Sequence, residues 1–100
     1  VNIHPTAIVD ERAQLGAEVG IGPFSIVGPE AVIGDKCVIQ SHVVIEGLVR
    51  MGAANLIGHG SVIGSAPQDL SFQPHIRSSL EIGNSNTIRE HCTIHRGATE

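Results

Sequence analysis

Three residues of this 100-residue chain combine a suitable type with a setting that invites chemistry: His95, Asp69 and its neighbour Gln68. His95 directly follows Ile94, at a place where most repeats of the chain carry glycine, and Arg96 comes next. An imidazole titrates near neutrality, so it can bind a polar group or move a proton. The plain alternative is an exposed corner histidine. Asp69 lies between Gln68 and Leu70 in a stretch that breaks the surrounding pattern, where a carboxylate suits a sugar hydroxyl or an amide. Its plain alternative is a tolerated surface loop. His91 and His95 are four residues apart, a metal pair only on a helix. Zinc-ligand spacing, a phosphate-cradling glycine loop and a nucleophile elbow are all missing from the sequence, so neither a metal nor a cofactor is expected. His4, His42, His59 and His75 receive no role.

The elements that must position these residues follow a period of six. Ile3, Val9, Leu15, Ile21, Val27, Ile33, Ile39, Ile45, Met51, Ile57 and Ile63 fall on one beat. Glycine follows the aliphatic residue at 16, 22, 28, 34, 52, 58 and 64, and a mostly small residue comes four positions after it (Val19, Ser25, Ala31, Cys37, Val43, Val49, Asn55, Ser61). Six is neither the 3.6 of a helix nor the simple alternation of a flat strand. Hexapeptide repeats read as a parallel β-helix, a solenoid whose three-hexad coils stack at roughly 4.8 Å. Aliphatic and small positions both point inward. Glycine is expected where the chain turns sharply, with Pro5, Pro23 and Pro29 presetting φ at the same corners. The fold class is therefore all-β, a hexapeptide-repeat solenoid of about five coils. Residues 1–100 form a single domain with an external loop at about 65–80.

That loop is where the beat stops. It restarts at Ile82, Ile88 and Ile94, and Ile82 is nineteen residues beyond Ile63, one more than a full coil. The excursion is accordingly expected to replace one coil of regular path. On the same count, Cys37 and Cys92 share one inward column three coils apart, roughly 14 Å, too far for a disulfide. Both are expected to be reduced and buried. Facing outward, Ile8, Ile26, Val44 and Val62 recur along one side, Gln14, Val32 and Arg50 along the second, and Gly20, Val38 and Leu56 along the third. An aliphatic strip on an outer face points to association, and a three-sided prism to a homotrimer.

Charge and composition exclude several classes. A formal net charge of −4 argues against nucleic acid, and the six Lys and Arg form no polybasic membrane patch. No run has the length of a transmembrane helix and no signal-peptide pattern opens the chain, which suggests a cytoplasmic address. The last hexads leave an uncapped apolar cross-section, as expected of a piece of a longer protein.

Several segments together resemble a known family. They are Ile3-His4-Pro5-Thr6-Ala7, Ile21-Gly22-Pro23-Phe24, Ser41-His42-Val43-Val44, Pro67-Gln68-Asp69-Leu70, and Ile88-Arg89-Glu90 followed by Thr93-Ile94-His95-Arg96-Gly97. In order and spacing they are similar to the N-terminal part of the UDP-N-acetylglucosamine O-acyltransferases of lipid A biosynthesis. The hexad alone signals only the broad hexapeptide-transferase superfamily; the Gln-Asp-Leu and Ile-His-Arg-Gly segments are more specific. The resemblance implies a left-handed β-helix, an exception to the usual crossover hand, assembled as a homotrimer with sites between subunits. It also implies transfer of a 3-hydroxyacyl group from acyl carrier protein to the glucosamine 3-position of the UDP-sugar. Asp69, with Gln68, matches the family's sugar-contacting loop, and His95 a site-lining histidine. The family's general-base histidine would fall past Glu100, so no residue here is catalytic by transfer. Ser71 stands where the family commonly has lysine. Two other readings are kept beside this one: a non-catalytic β-helix assembly or scaffold module, and a metal enzyme on the same helix such as a γ-type carbonic anhydrase, whose usual histidine spacing is not found.

Overall fold

The computed structural model describes residues 1–65 and 79–95. They form a left-handed parallel β-helix of short strands, numbered here in chain order, on three faces. The first face stacks β1 (Asn2–Ile3), β4 (Gly20–Ile21), β7 (Val38–Ile39), β10 (Leu56–Ile57) and β13 (Thr87–Ile88). The second stacks β2 (Ile8–Val9), β5 (Ile26–Val27), β8 (Val44–Ile45), β11 (Val62–Ser65) and β14 (Thr93–His95). The third holds β3 (Gln14–Leu15), β6 (Ala31–Ile33), β9 (Leu48–Met51) and β12 (Ser79–Ile82).

Every strand pairs in parallel with the strand one coil away, so Ile21 meets Ile39 and Ile39 meets Ile57. The inward positions are those the beat marks. Ile21, Val27, Ile33, Ile39, Ile45, Met51, Ile57 and Ile63 are buried, and so are all eight small residues from Val19 to Ser61. Each fully buried aliphatic stabilises the fold by roughly 1.5–3 kcal/mol. Polar inward residues are satisfied by the next coil. Ser61 Oγ donates to the Arg89 carbonyl (2.8 Å) and accepts from the Cys92 amide (3.3 Å).

Glycine's role differs from the one read in the sequence. The sharp, left-handed residue stands three positions after the inward aliphatic and is usually not glycine: Glu18, Phe24, Lys36, His42, Ala54, Ser85 and His91 all have φ between 57° and 61°. An L-residue pays roughly 1–2 kcal/mol there. The cost is offset by an amide bond to the neighbouring coil, as from His42 to Pro23 (3.0 Å) and from His91 to His59 (2.8 Å). The regular glycine is needed for closeness instead. A Cβ on Gly34 would stand 2.6 Å from the carbonyl carbon and oxygen of Gly52, one coil on.

The excursion also differs. β11 lies on the second face and β12 on the third, paired with β9, so the chain advances by a single face between them. No coil is replaced; extra residues are inserted at one corner, and the contact spacing from coil to coil rises from 18 to 31 residues. This moves the cysteines apart. Cys37 precedes β7 on the first face, beside Asn55, whereas Cys92 precedes β14 on the second, beside Ser61. The expected shared column is therefore incorrect, because the nineteen residues from Ile63 to Ile82 span one face plus an insertion and not a coil plus one residue. Both thiols are free, Cys37 buried and Cys92 only half-buried, against the expectation that both are buried.

Asn55 bridges the coils that the insertion separates in sequence. Its Nδ2 donates to Gly52 (3.1 Å) and Gly83 (2.7 Å) carbonyls, and its Oδ1 accepts from the Asn86 amide (2.8 Å). Asn55→Ala should cost about 2–3 kcal/mol in urea unfolding, because it strands buried backbone groups; a loss near zero would show that those bonds carry no net stability. With a thiol reagent, Cys92 should react in the folded protein and Cys37 only on unfolding. Equal rates would contradict the two environments.

Candidate functional site

The corner between the second and third faces is the candidate site, because the insertion leaves from it and His95 reaches it. In successive coils this corner carries Asp10-Glu11, Gly28-Pro29, Glu46-Gly47, Gly64-Ser65 and His95. β11 departs from the regular path here. Ile63 pairs with Ile94, but the next pair is Ser65 with His95, with a register shift between them. Gly64 is buried with φ of 81°, and Gly47 on the previous coil has φ of 75°.

β12 returns on the third face beside β9, where Glu81 lies opposite Arg50 in register. Leu48, Arg50, Leu80 and Glu81 line a shallow hollow there. Arg50 and Glu81 thus lie side by side on the third face, and the corner itself carries the exposed carboxylate of Glu46 and the backbone of His95. Gln68 and Asp69, and Ser71 with them, lie outside the described residues, as do the side chain of His95 and all of His75.

His91 does not join His95. It sits at the opposite end of β14, at the corner between the first and second faces, with its ring over Gly60. Among the described residues, no three His, Cys, Asp or Glu side chains group as a metal site. That corner also holds His4, His42 and His59, three of the histidines left without a role in the sequence. His59 Nδ1 accepts from the Ser41 amide (3.1 Å) and lies 2.7 Å from Ser41 Oγ. The pair has the look of a nucleophile and its base, but the amide bond uses the same lone pair, which makes it a clasp between coils. The His42 ring packs against Phe24 at 5.2 Å between centroids. Glu90, close enough to interact with His59, has its carboxyl held below the usual range by its own backbone amide first and then by Arg89. Reading the sequence every 18 residues brings Pro23, Ser41 and His59 into one column and is the signal that finds this clasp.

Residues 12–47 match the bacterial transferase hexapeptide (six repeats) family. The chain is 58% identical over 99 residues to an acyl-[acyl-carrier-protein]–UDP-N-acetylglucosamine O-acyltransferase of Sulfurihydrogenibium, covering 99% of this chain and 36% of that protein. Over nearly its whole length the chain is similar to UDP-N-acetylglucosamine O-acyltransferases.

Solved acyltransferases of this family carry the same helix. The structure from Moraxella catarrhalis superposes with a TM-score of 0.89 at 47% identity, covering 95% of this chain and 37% of that one. The Arabidopsis UDP-N-acetylglucosamine acyltransferase gives a TM-score of 0.70 at 29% identity, covering 97% of this chain and 41% of that one. The chain therefore spans little more than a third of the length of the curated relatives it matches. For the clasp corner, nitrogen NMR above neutral pH should show His59 with its proton on Nε2. A proton on Nδ1 would contradict the bond from the Ser41 amide.

Proposed function

We propose that the complete polypeptide is an acyltransferase. It moves a 3-hydroxyacyl group from acyl carrier protein to the glucosamine 3-position of UDP-N-acetylglucosamine in lipid A biosynthesis. In that step the sugar oxygen forms a bond to the acyl carbon, the thioester carbon–sulfur bond breaks, and the carrier thiol takes the proton. This chain supplies the β-helix and the sugar-contacting loop. No residue within it is assigned as the base, and no cofactor or metal enters the step.

The observation that carries the reading is identity of 58% across 99 residues to a protein named for this reaction. The corner geometry is consistent with it: an insertion and His95 meet at one edge of an otherwise regular helix. Gln68, Asp69 and His95 are proposed to touch the UDP-sugar. We also propose a cytoplasmic homotrimer, supported by the outward column of Ile8, Ile26, Val44 and Val62, of which Ile8 is 65% and Ile26 44% exposed. Apolar residues aligned in this way are best covered by a second copy.

Incubating the complete polypeptide with 3-hydroxyacyl carrier protein and UDP-N-acetylglucosamine should yield the acylated sugar nucleotide by mass spectrometry. A folded protein that binds no UDP-sugar would favour a non-catalytic scaffold. Asp69→Ala should weaken UDP-sugar binding by about 1.5–3 kcal/mol, the value of a charge-assisted hydrogen bond; unchanged affinity in calorimetry would remove Asp69 from the site. Sedimentation should give three copies per particle, and a monomer at micromolar concentration would contradict the trimer.

A further inference from the structure

We propose that Gly64 is a positioning residue for the sugar-contacting corner, an inference that rests on the acyltransferase reading. The residue one place past the inward aliphatic at this corner is Asp10, Gly28, Glu46, Gly64 or His95 in successive coils. Among the described ones, Gly64 alone has a left-handed backbone, with φ of 81°. As a result β11 runs on to Ser65, where its neighbour β8 stops at Ile45. The pairing with β14 skips Gly64 and sets Ser65 opposite His95. A bulge of this kind re-aims the chain, and such irregularities concentrate beside functional sites.

Both properties of Gly64 demand glycine. A side chain would have to accept the left-handed φ, and its Cβ would collide with the Glu46 carbonyl oxygen and Val49 Cγ2 of the previous coil. The carbonyl is backbone already committed to the stack, since the Glu46 amide donates to Ile63 (3.0 Å). What must yield is the Gly64–Ser65 segment, which sets the register of His95. Gly64 therefore acts through the corner, without touching substrate.

Gly60 provides the control. It too is left-handed, with φ of 73°, but it lies at the corner between the first and second faces, where a Cβ would meet only the movable ring of His91. In the complete polypeptide, Gly64→Ala should raise KM for UDP-N-acetylglucosamine at least about tenfold over Gly60→Ala, as expected for one lost charge-assisted contact. Its kcat should change little, the pattern of lost uniform binding. Melting temperatures measured alongside report any general loss of stability, which the KM of Gly60→Ala does not follow.

Should Gly64→Ala fail to fold, Gly64→Asn is the second variant, because asparagine enters the left-handed region more readily yet still carries the Cβ. A folded Gly64 variant with the KM of Gly60→Ala overturns the proposal. So does failure of both Gly64 variants to fold while Gly60→Ala folds, since Gly64 would then hold up the helix itself. A wild-type protein that neither binds nor acylates the UDP-sugar overturns the acyltransferase reading, and this inference with it.

Discussion

Everything in this molecule depends on how closely one coil can lie on the next. Strands of two to four residues are too short to hold together by themselves, so each coil is held through amide-to-carbonyl bonds to its neighbours. Those bonds form only if the corners stack as tightly as the strands. That requirement removes the Cβ at Gly34, and it gives the left-handed Lys36, His42, Ala54, Ser85 and His91 a carbonyl on the adjacent coil. The inward residues then need only fill a constant cross-section, which Ile and Val do on each face. Inward Ser25, Ser61 and Asn55 remain tolerable because the same close stacking brings backbone partners to them.

An insertion into such a stack is a topological problem. If it displaced the following coil by even one face, every inward aliphatic after it would meet the wrong column. The helix solves this by leaving and re-entering at a single corner. β12 resumes on β9 with four residues in register, and Asn55 ties the coils before and after the insertion through Gly83 and Asn86. The lattice is undisturbed on the first face. Among the described residues, the pairing slips only at the second-to-third corner, where Gly64 turns left-handed beside His95. A regular scaffold thus isolates one variable edge, the division of labour expected of a solenoid that binds a small ligand.

Much of this was legible from the six-residue beat. The beat names the inward aliphatic and small residues, hence the core, and the outward columns on each face. It fails at two points, each with a physical cause. Glycine suggests a turn, but in this helix it marks backbone proximity, and only coordinates separate the two demands. The nineteen residues from Ile63 to Ile82 fit one coil plus one residue, and equally one face plus an insertion; counting alone cannot choose. Side-chain chemistry does help, since Asn86 falls beside Asn55 and Cys92 beside Ser61 once the insertion is placed at one corner. For the site, the sequence singled out His95, Gln68 and Asp69 by their break with the repeat. It could not show that Gly64 turns left-handed beside His95, because a glycine at that beat is indistinguishable from its structural siblings.

The central claim is that function resides at one corner and the rest of the helix is scaffold. Hydrogen exchange of the complete polypeptide, with and without UDP-N-acetylglucosamine, tests it most directly. Ligand should slow exchange in the segments around Gly64–Ile82 and at Thr93–His95, and leave the corner of Ser41, His59 and His91 unchanged. Protection centred on that histidine corner, or spread evenly over all coils, would contradict the account.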